Sequence, residues 1–348
     1  MGAGVVAKAH VREAMYWRAL SEGRVECGLC YRRCVIAPDR YGVCGVRKNT
    51  SGKLYTLVYG LLTAVNVDPI EKKPLYHFKP GSEVLSISTV GCNFFCSFCQ
   101  NYEISQSRLE EGLYGVYHEP EDVVKLAKRY GARGISYTYN EPVVFYEYML
   151  DVAKLAKRSG LFNTMVTNGY LELEPAEELS KYMDAATVDF KGGANPNFYR
   201  GYMSVPDPSP IFQTAELFRE RGVFVEITNL VVPRLGDKVE DVRKLARWVA
   251  DQLGPETPFH LLRFHPDYKM LHIPPTPTST LERLAEEAAR AGLKHVYLGN
   301  VWDHELENTY CPSCGAVVIK RRGFYANVIG LDPNGRCVKC GYKLNVIM

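Results

Sequence analysis

From Val84 to Leu298 the chain switches repeatedly between two hydrophobic periods, and that alternation leaves few folds open to it. Short β-branched or apolar runs fall at 84–90 (VLSISTV), 134–139 (GISYTY), 163–167 (NTMVT), 186–190 (ATVDF), 224–229 (FVEITN), 259–264 (FHLLRF) and 295–299 (HVYLG). Amphipathic stretches lie between them, near 120–130, 143–159, 175–183, 211–221, 238–253 and 279–291. A strand returning parallel to its neighbour needs a long crossover, and a helix supplies one, so this alternation implies a parallel sheet covered by helices. Six or seven repeats suit an incomplete barrel better than a closed eight-fold one. The expected fold is therefore α/β, a partial (β/α)6 barrel. Pro/Gly-containing segments near 78–82 and 303–312 mark its edges. They divide the chain into an N-terminal extension (1–83), the barrel (84–302) and a C-terminal zinc-ribbon-like domain (303–348).

The 11 cysteines supply the next constraint. They fall into three groups with none left over: Cys27, Cys30, Cys34 and Cys44; Cys92, Cys96 and Cys99; Cys311, Cys314, Cys337 and Cys340. The N-terminal stretch, MGAGVVAKAHVREAMYW, is broken by Lys8, His10 and Arg12 and lacks the apolar core of a secretory signal. No window approaches the roughly 18 apolar residues of a membrane span. The expectation is a cytoplasmic protein whose thiols stay reduced, with the cysteines serving metals rather than disulfides. The 42 basic and 39 acidic residues give 42 − 39 = +3, which does not call for nucleic acid or a membrane surface as partner.

The middle group has the spacing C-x3-C-x2-C and directly follows the first expected strand. Thiolates suit iron–sulfur clusters, which ordinarily take four protein ligands. Three ligands leave one iron open to a chelating substrate; a three-cysteine zinc site with a distant histidine is the competing reading. In a barrel the loops after the strands build the active face. Later strand ends there carry Tyr139-Asn140-Glu141-Pro142, Thr167-Asn168-Gly169, Asp189-Phe190-Lys191, Thr228-Asn229 and Phe264-His265-Pro266. Any one of these could be a cap or turn, but polar residues at successive strand ends point to a site.

The cysteine loop, with aromatic Phe98 before its third cysteine, resembles the radical S-adenosylmethionine (SAM) superfamily. Five stretches narrow the resemblance: DPIEKKPLYHFKPGS (68–82), GCNFFCSFCQNYEISQ (91–106), SYTYNEP (136–142), VTNGY (166–170) and VDFKG (188–192). They are similar to the radical SAM member of the AmmeMemoRadiSam system, a group related to the pyruvate formate-lyase activating enzymes. The resemblance implies that Cys92, Cys96 and Cys99 hold a [4Fe-4S] cluster whose open iron chelates SAM for reductive cleavage. It implies that Phe98 packs on the adenine and that Tyr139, Asn140, Glu141 and Pro142 form the segment binding the SAM amino group. Glu141 would either pair with the ammonium or order the turn. Asp189 would take the ribose hydroxyls, Lys191 the SAM carboxylate, and His265 would lie near the adenine or simply turn the chain. Three departures stand out: Tyr139 and Asn140 replace two glycines, Val166 replaces an aspartate, and Tyr31-Arg32 replaces a Pro-His pair. With Val166 apolar, the ribose contact passes to Asn168 or Asp189.

Cys311-x2-Cys314-Gly and Cys337-x2-Cys340-Gly are paired knuckles that read as one tetrahedral site, zinc in preference to iron. Cys27, Cys30, Cys34 and Cys44 fit zinc or a second [4Fe-4S] cluster equally well. The function expected is a radical SAM enzyme, an oxidoreductase or a lyase-type cleaver of SAM, acting on an unidentified substrate. An electron donor of ferredoxin or flavodoxin type is expected, and the resemblance implies Memo-type and AMMECR-type partners. Two further readings stand beside it: a glycyl-radical activase, and a non-catalytic iron–sulfur or zinc protein binding nucleic acid.

Overall fold

In the computed structural model, which describes residues 10–107 and 115–348, all seven apolar runs become strands of one sheet. Residues 1–9, part of the stretch examined for a targeting signal, lie outside the described residues. The sheet comprises β1 (Ala64–Pro69), β2 (Glu83–Ser88), β3 (Gly134–Tyr137), β4 (Phe162–Thr167), β5 (Ala185–Lys191), β6 (Phe224–Val231), β7 (Phe259–Arg263) and β8 (Val296–Gly299). Their spatial order is β8-β7-β6-β5-β4-β3-β2-β1. The pairings from β2 to β8 are parallel, and β1 adds antiparallel with Asp68 opposite Val84. The two edges do not pair, so the barrel is open, and β1 extends its first edge from a segment preceding residue 84.

Six helices fill the crossovers: α1 (Pro120–Arg129), α2 (Tyr146–Arg158), α3 (Leu173–Ser180), α5 (Ser209–Glu220), α6 (Val239–Trp248) and α7 (Thr278–Arg290). Each is amphipathic for the reason its sequence gives. In α6, Val242, Leu245 and Ala246 recur at helical spacing and are buried, while Glu240 and Asp241 sit in the first turn and Arg247 in the last. Those end charges complement the helix dipole. A seventh helix, α4 (Pro196–Met203), was not evident from the sequence pattern. It is eight residues long and starts on local chemistry: Asn195 accepts hydrogen bonds from Asn197 N (2.9 Å) and Phe198 N (3.3 Å), with Pro196 at the first position.

The barrel interior is closed by strand residues such as Tyr137, Met165, Val188 and Ile227, all 0% exposed. Burying each contributes about 1.5–3 kcal/mol, and Ile227→Ala would cost roughly 2–5 kcal/mol. Two small N-terminal sheets pack against the same core through Val25, Leu29, Val46 and Leu54. The C-terminal sheet (Thr309–Tyr310, Val317–Arg322, Tyr325–Val328) has a separate core built on Cys311, Val318, Ile319, Cys337, Leu344 and Val346. Several contacts pin it to the barrel, among them Tyr297 Oη to Thr309 Oγ1 at 2.9 Å and Asn345 N to Glu256 at 3.1 Å. Ile347 N donates to His77 O at 2.9 Å, and buried Arg321 lies 4.1 Å above the Tyr76 ring while donating to Tyr76 O at 2.6 Å. Among the described residues no helix is long and apolar enough to cross a membrane.

Candidate active site

The C-terminal ends of β2 to β8 open onto a cavity of about 510 Å³, within the size range of small-molecule sites. Cys92, Cys96 and Cys99 form one wall, on the loop following β2. The loop is held by backbone bonds to the end of α4: Phe95 N donates to Met203 O (3.1 Å) and Ser97 N to Tyr202 O (2.8 Å). These contacts satisfy carbonyls that a helix terminus otherwise leaves bare. All three thiols are free. Burial pushes Cys96 up to about 12 and Cys92 well above its ordinary value; Cys99 is raised as well, against a 3.1 Å contact with Ser105 Oγ. Buried thiols resist ionising on their own, so thiolates here require a cation to replace the lost water.

The strand end after β3 clamps both ends of this loop. Asn140 Nδ2 donates to Gly91 O at 2.9 Å, just before Cys92, and Asn101 Nδ2, just after Cys99, donates to Tyr139 O at 2.8 Å. Glu141 orders the turn: it accepts from Val143 N (3.2 Å), Thr167 Oγ1 (2.7 Å) and Asn168 N (2.7 Å). Burial raises its carboxyl to about 7 despite those donors. Pro142 opens the short turn behind Glu141 and does not line the cavity. Tyr139, replacing the expected glycine, adopts φ 68°, a left-handed conformation costly for a bulky residue. Its hydroxyl donates to Asp68, and the Lys73 ammonium sits 4.5 Å over its ring.

The other residues singled out from the sequence also line the cavity. Phe98 is buried, its ring 5.7 Å from that of Phe198. Asn168 donates to Asn93 Oδ1 at 2.7 Å and accepts from Tyr170 N at 3.0 Å, so its amide is committed to shaping the loop. Asp189 and Lys191 face each other at 2.9 Å, with Thr228 donating to the second Asp189 oxygen. His265 is exposed, its Nδ1 3.0 Å from Pro266 O.

Lys72, Lys73, His260, Asn300 and Phe324 also line the cavity, although sequence reasoning gave them no role. Asp68 binds Lys72 (2.8 Å) and Lys73 (2.7 Å), and these contacts hold its carboxyl well below the usual range despite burial. The stretch DPIEKK was visible as a motif, but only β1 brings it to the mouth of the barrel.

The donor set fits an iron–sulfur cluster with SAM. Three sulfurs share one wall, and among the described residues no fourth cysteine lines the cavity and the Oδ1 of the lining residue Asn140 is buried without a partner. The C-terminal cysteines are arranged differently: all four sulfurs lie within 4.8 Å of one another, with Cys311–Cys340 at 3.5 Å and Cys314–Cys337 at 3.8 Å. Cys27, Cys30, Cys34 and Cys44 line a second pocket together with Arg32, Arg47 and Asn93.

Residues 86–249 match the profile of the Radical SAM superfamily. The chain is 45% identical, over 97% of its length, to an uncharacterized protein of Methanocaldococcus jannaschii that it covers completely. It is 25% identical to the pyruvate formate-lyase-activating enzyme of Clostridium pasteurianum, over 53% of this chain and 80% of that one. Superposition on Streptococcus suis SuiB bound to S-adenosylmethionine gives a TM-score of 0.49 at 15% identity, over 70% of this chain and 56% of that one.

Proposed function

Because this chain belongs to the radical SAM superfamily and is related to the pyruvate formate-lyase activating enzymes, we propose that it cleaves SAM reductively at Cys92, Cys96 and Cys99. The observation carrying this is the single cavity wall formed by those three thiols, facing Asn140, Asp189 and Lys191. When bound, the cluster supplies one electron to the sulfonium, whose carbon–sulfur bond breaks to start radical chemistry on a second substrate.

The chain's own share is binding, orientation and exclusion of water. Asn140 and Asn101 fix the cysteine loop at both ends. Glu141 fixes the strand ends of β3 and β4 against each other, which favours its turn-ordering role over pairing with an ammonium. Asp189 and Lys191 neutralise each other until a zwitterionic ligand enters; the lysine then has a carboxylate to take and the aspartate a diol. Phe98 offers a flat apolar wall for the base, and His265, exposed at the rim, is free to turn toward it.

Zinc is our assignment for Cys311, Cys314, Cys337 and Cys340. A tetrahedral ion bonded to sulfur at about 2.3 Å sets the sulfurs roughly 3.8 Å apart, and two of the pairs stand at 3.5 and 3.8 Å. An electron donor of ferredoxin or flavodoxin type, and Memo-type and AMMECR-type companions, complete the reading.

The test is anaerobic reconstitution with iron and sulfide, dithionite reduction, and mass spectrometry of the products. 5′-Deoxyadenosine is expected; methylthioadenosine as the main product would move the cleavage to another bond, and no SAM-dependent change in the cluster's EPR spectrum would end the proposal. Similarity to the activating enzymes favours a glycyl-radical protein as an alternative second substrate. Anaerobic mixing with such proteins should then give a glycyl doublet, and its absence on every candidate removes that reading.

A further inference from the structure

The three cysteine groups separate by geometry, and the N-terminal one falls with the catalytic trio rather than with the C-terminal four. Among the described residues, the set whose four sulfurs all lie within 4.8 Å is the C-terminal one. Cys27, Cys30, Cys34 and Cys44 instead line the wall of a pocket, as Cys92, Cys96 and Cys99 do. One tetrahedral ion pulls four sulfurs together, whereas a cube holds them apart because each binds a different corner.

Two guanidinium groups line the same pocket. Arg47, 2% exposed, donates to Cys27 Sγ at 3.6 Å and to Glu147, yet its buried Nε has no partner among the described residues. Arg32 spends Nε on Asn93 O (2.8 Å) and Nη1 on Ser204 O (2.6 Å), leaving buried Nη2 without a partner. Two unmatched buried donors are costly unless an acceptor arrives. Inorganic sulfides and thiolates are such acceptors, and the two cations offset the negative charge that four thiolates bring.

The pocket also touches the catalytic loop. Asn93, which follows Cys92, lines it. A Cβ on Gly91 would fall 2.7 Å from Cys44 O, so Cys44 and the residue before Cys92 are in direct backbone contact. Gly91 has φ 93°, which a side chain would strain as well.

We propose that Cys27, Cys30, Cys34 and Cys44 hold a second [4Fe-4S] cluster, which passes electrons one at a time to the cluster at Cys92, Cys96 and Cys99. An external one-electron donor of flavodoxin type is oxidised. The N-terminal cluster takes that electron and returns to its starting state on handing it inward. The sulfonium finally accepts it as the carbon–sulfur bond breaks. This rests on the function proposed above, and the test separates the two.

Iron, sulfide and zinc are measured on the anaerobically reconstituted full chain, with Mössbauer spectra, for the natural sequence and for Cys30→Ser/Cys44→Ser. The natural chain should carry about eight irons and the variant about four. The variant's remaining cluster should still change its EPR spectrum on adding SAM, and dithionite-driven cleavage should stay within about 3-fold, while flavodoxin-driven cleavage drops more than about 10-fold. About four irons with a second zinc in the natural chain overturns the proposal, and that count needs no folded variant. Eight irons with an unchanged flavodoxin rate in the variant overturns the relay. Loss of the SAM response in the natural chain would instead sink the parent reading while leaving the iron count to stand on its own.

Discussion

The loop after β2 and the C-terminal sheet each gather cysteines, and they do so in opposite ways. Cys92, Cys96 and Cys99 share the wall of an open cavity, on a loop fastened by side-chain amides from a neighbouring strand end. Cys311, Cys314, Cys337 and Cys340 close on one another inside a core of their own. An open set can admit a substrate because other groups carry the burden of holding its shape. A closed set would itself be the shape, since the sheet around it is small and a metal held there would supply its stability.

That contrast breaks most sharply at Cys96→Ser. SAM cleavage should fall at least about 1,000-fold, with the C-terminal metal content unchanged by elemental analysis. If that metal is lost too, the two sites are not independent. Removing the C-terminal metal with a chelator should act the other way. Hydrogen exchange should rise across 309–348 while the barrel strands stay protected, because metal binding there is folding free energy. Uniform loss of protection would show that the sheet supports the whole barrel.

Acid should loosen the joint between the two regions. His295 is held down to about 4 by burial, and His77, lowered well below its ordinary value for the same reason, contacts Asn345 O (2.8 Å) and Tyr297 Oη (2.6 Å). Below pH 6.5 the unfolded chain takes up protons that the folded imidazoles refuse. Stability is therefore lost as pH falls from about 6.5 toward 4, by roughly 3 kcal/mol for His295. Chemical denaturation across that range, compared with His295→Gln, measures the loss; an identical slope in both proteins contradicts it.

Smaller effects test how the open set is supported. Asn140→Ala removes the bond to Gly91 O and should weaken SAM binding by about 10-fold, near 1–3 kcal/mol, with the cluster still assembled. Tyr139→Gly relieves the left-handed backbone but loses the bond to Asp68. Thermal melting should move by less than about 1 kcal/mol in equivalent stability.

Much of this was legible in the sequence. The seven apolar runs and six amphipathic stretches are the strands and crossover helices observed, because a period of two or 3.6 residues is a local property. Glu141 was read as a turn-ordering residue or an ammonium partner, and its three hydrogen bonds occupy it with the turn. The helix α4 was hidden because Asn197, Gly201 and the aromatic residues Phe198, Tyr199 and Tyr202 are poor helix formers, although Asn195-Pro196 is a start signal that could have exposed it. Lys72 and Lys73 were hidden for another reason: nothing local says that an antiparallel edge strand will carry them to the cavity.

By itself the chain determined its alternating architecture, its three cysteine groups and the place of the middle group after the first strand of the alternation, since spacing and period survive in one dimension. Only the tertiary structure decided how far apart the sulfurs stand and which cations face them. It also decided which strand end clamps which loop. Those are distances between residues remote in sequence, set by packing across the sheet, and no linear pattern contains them.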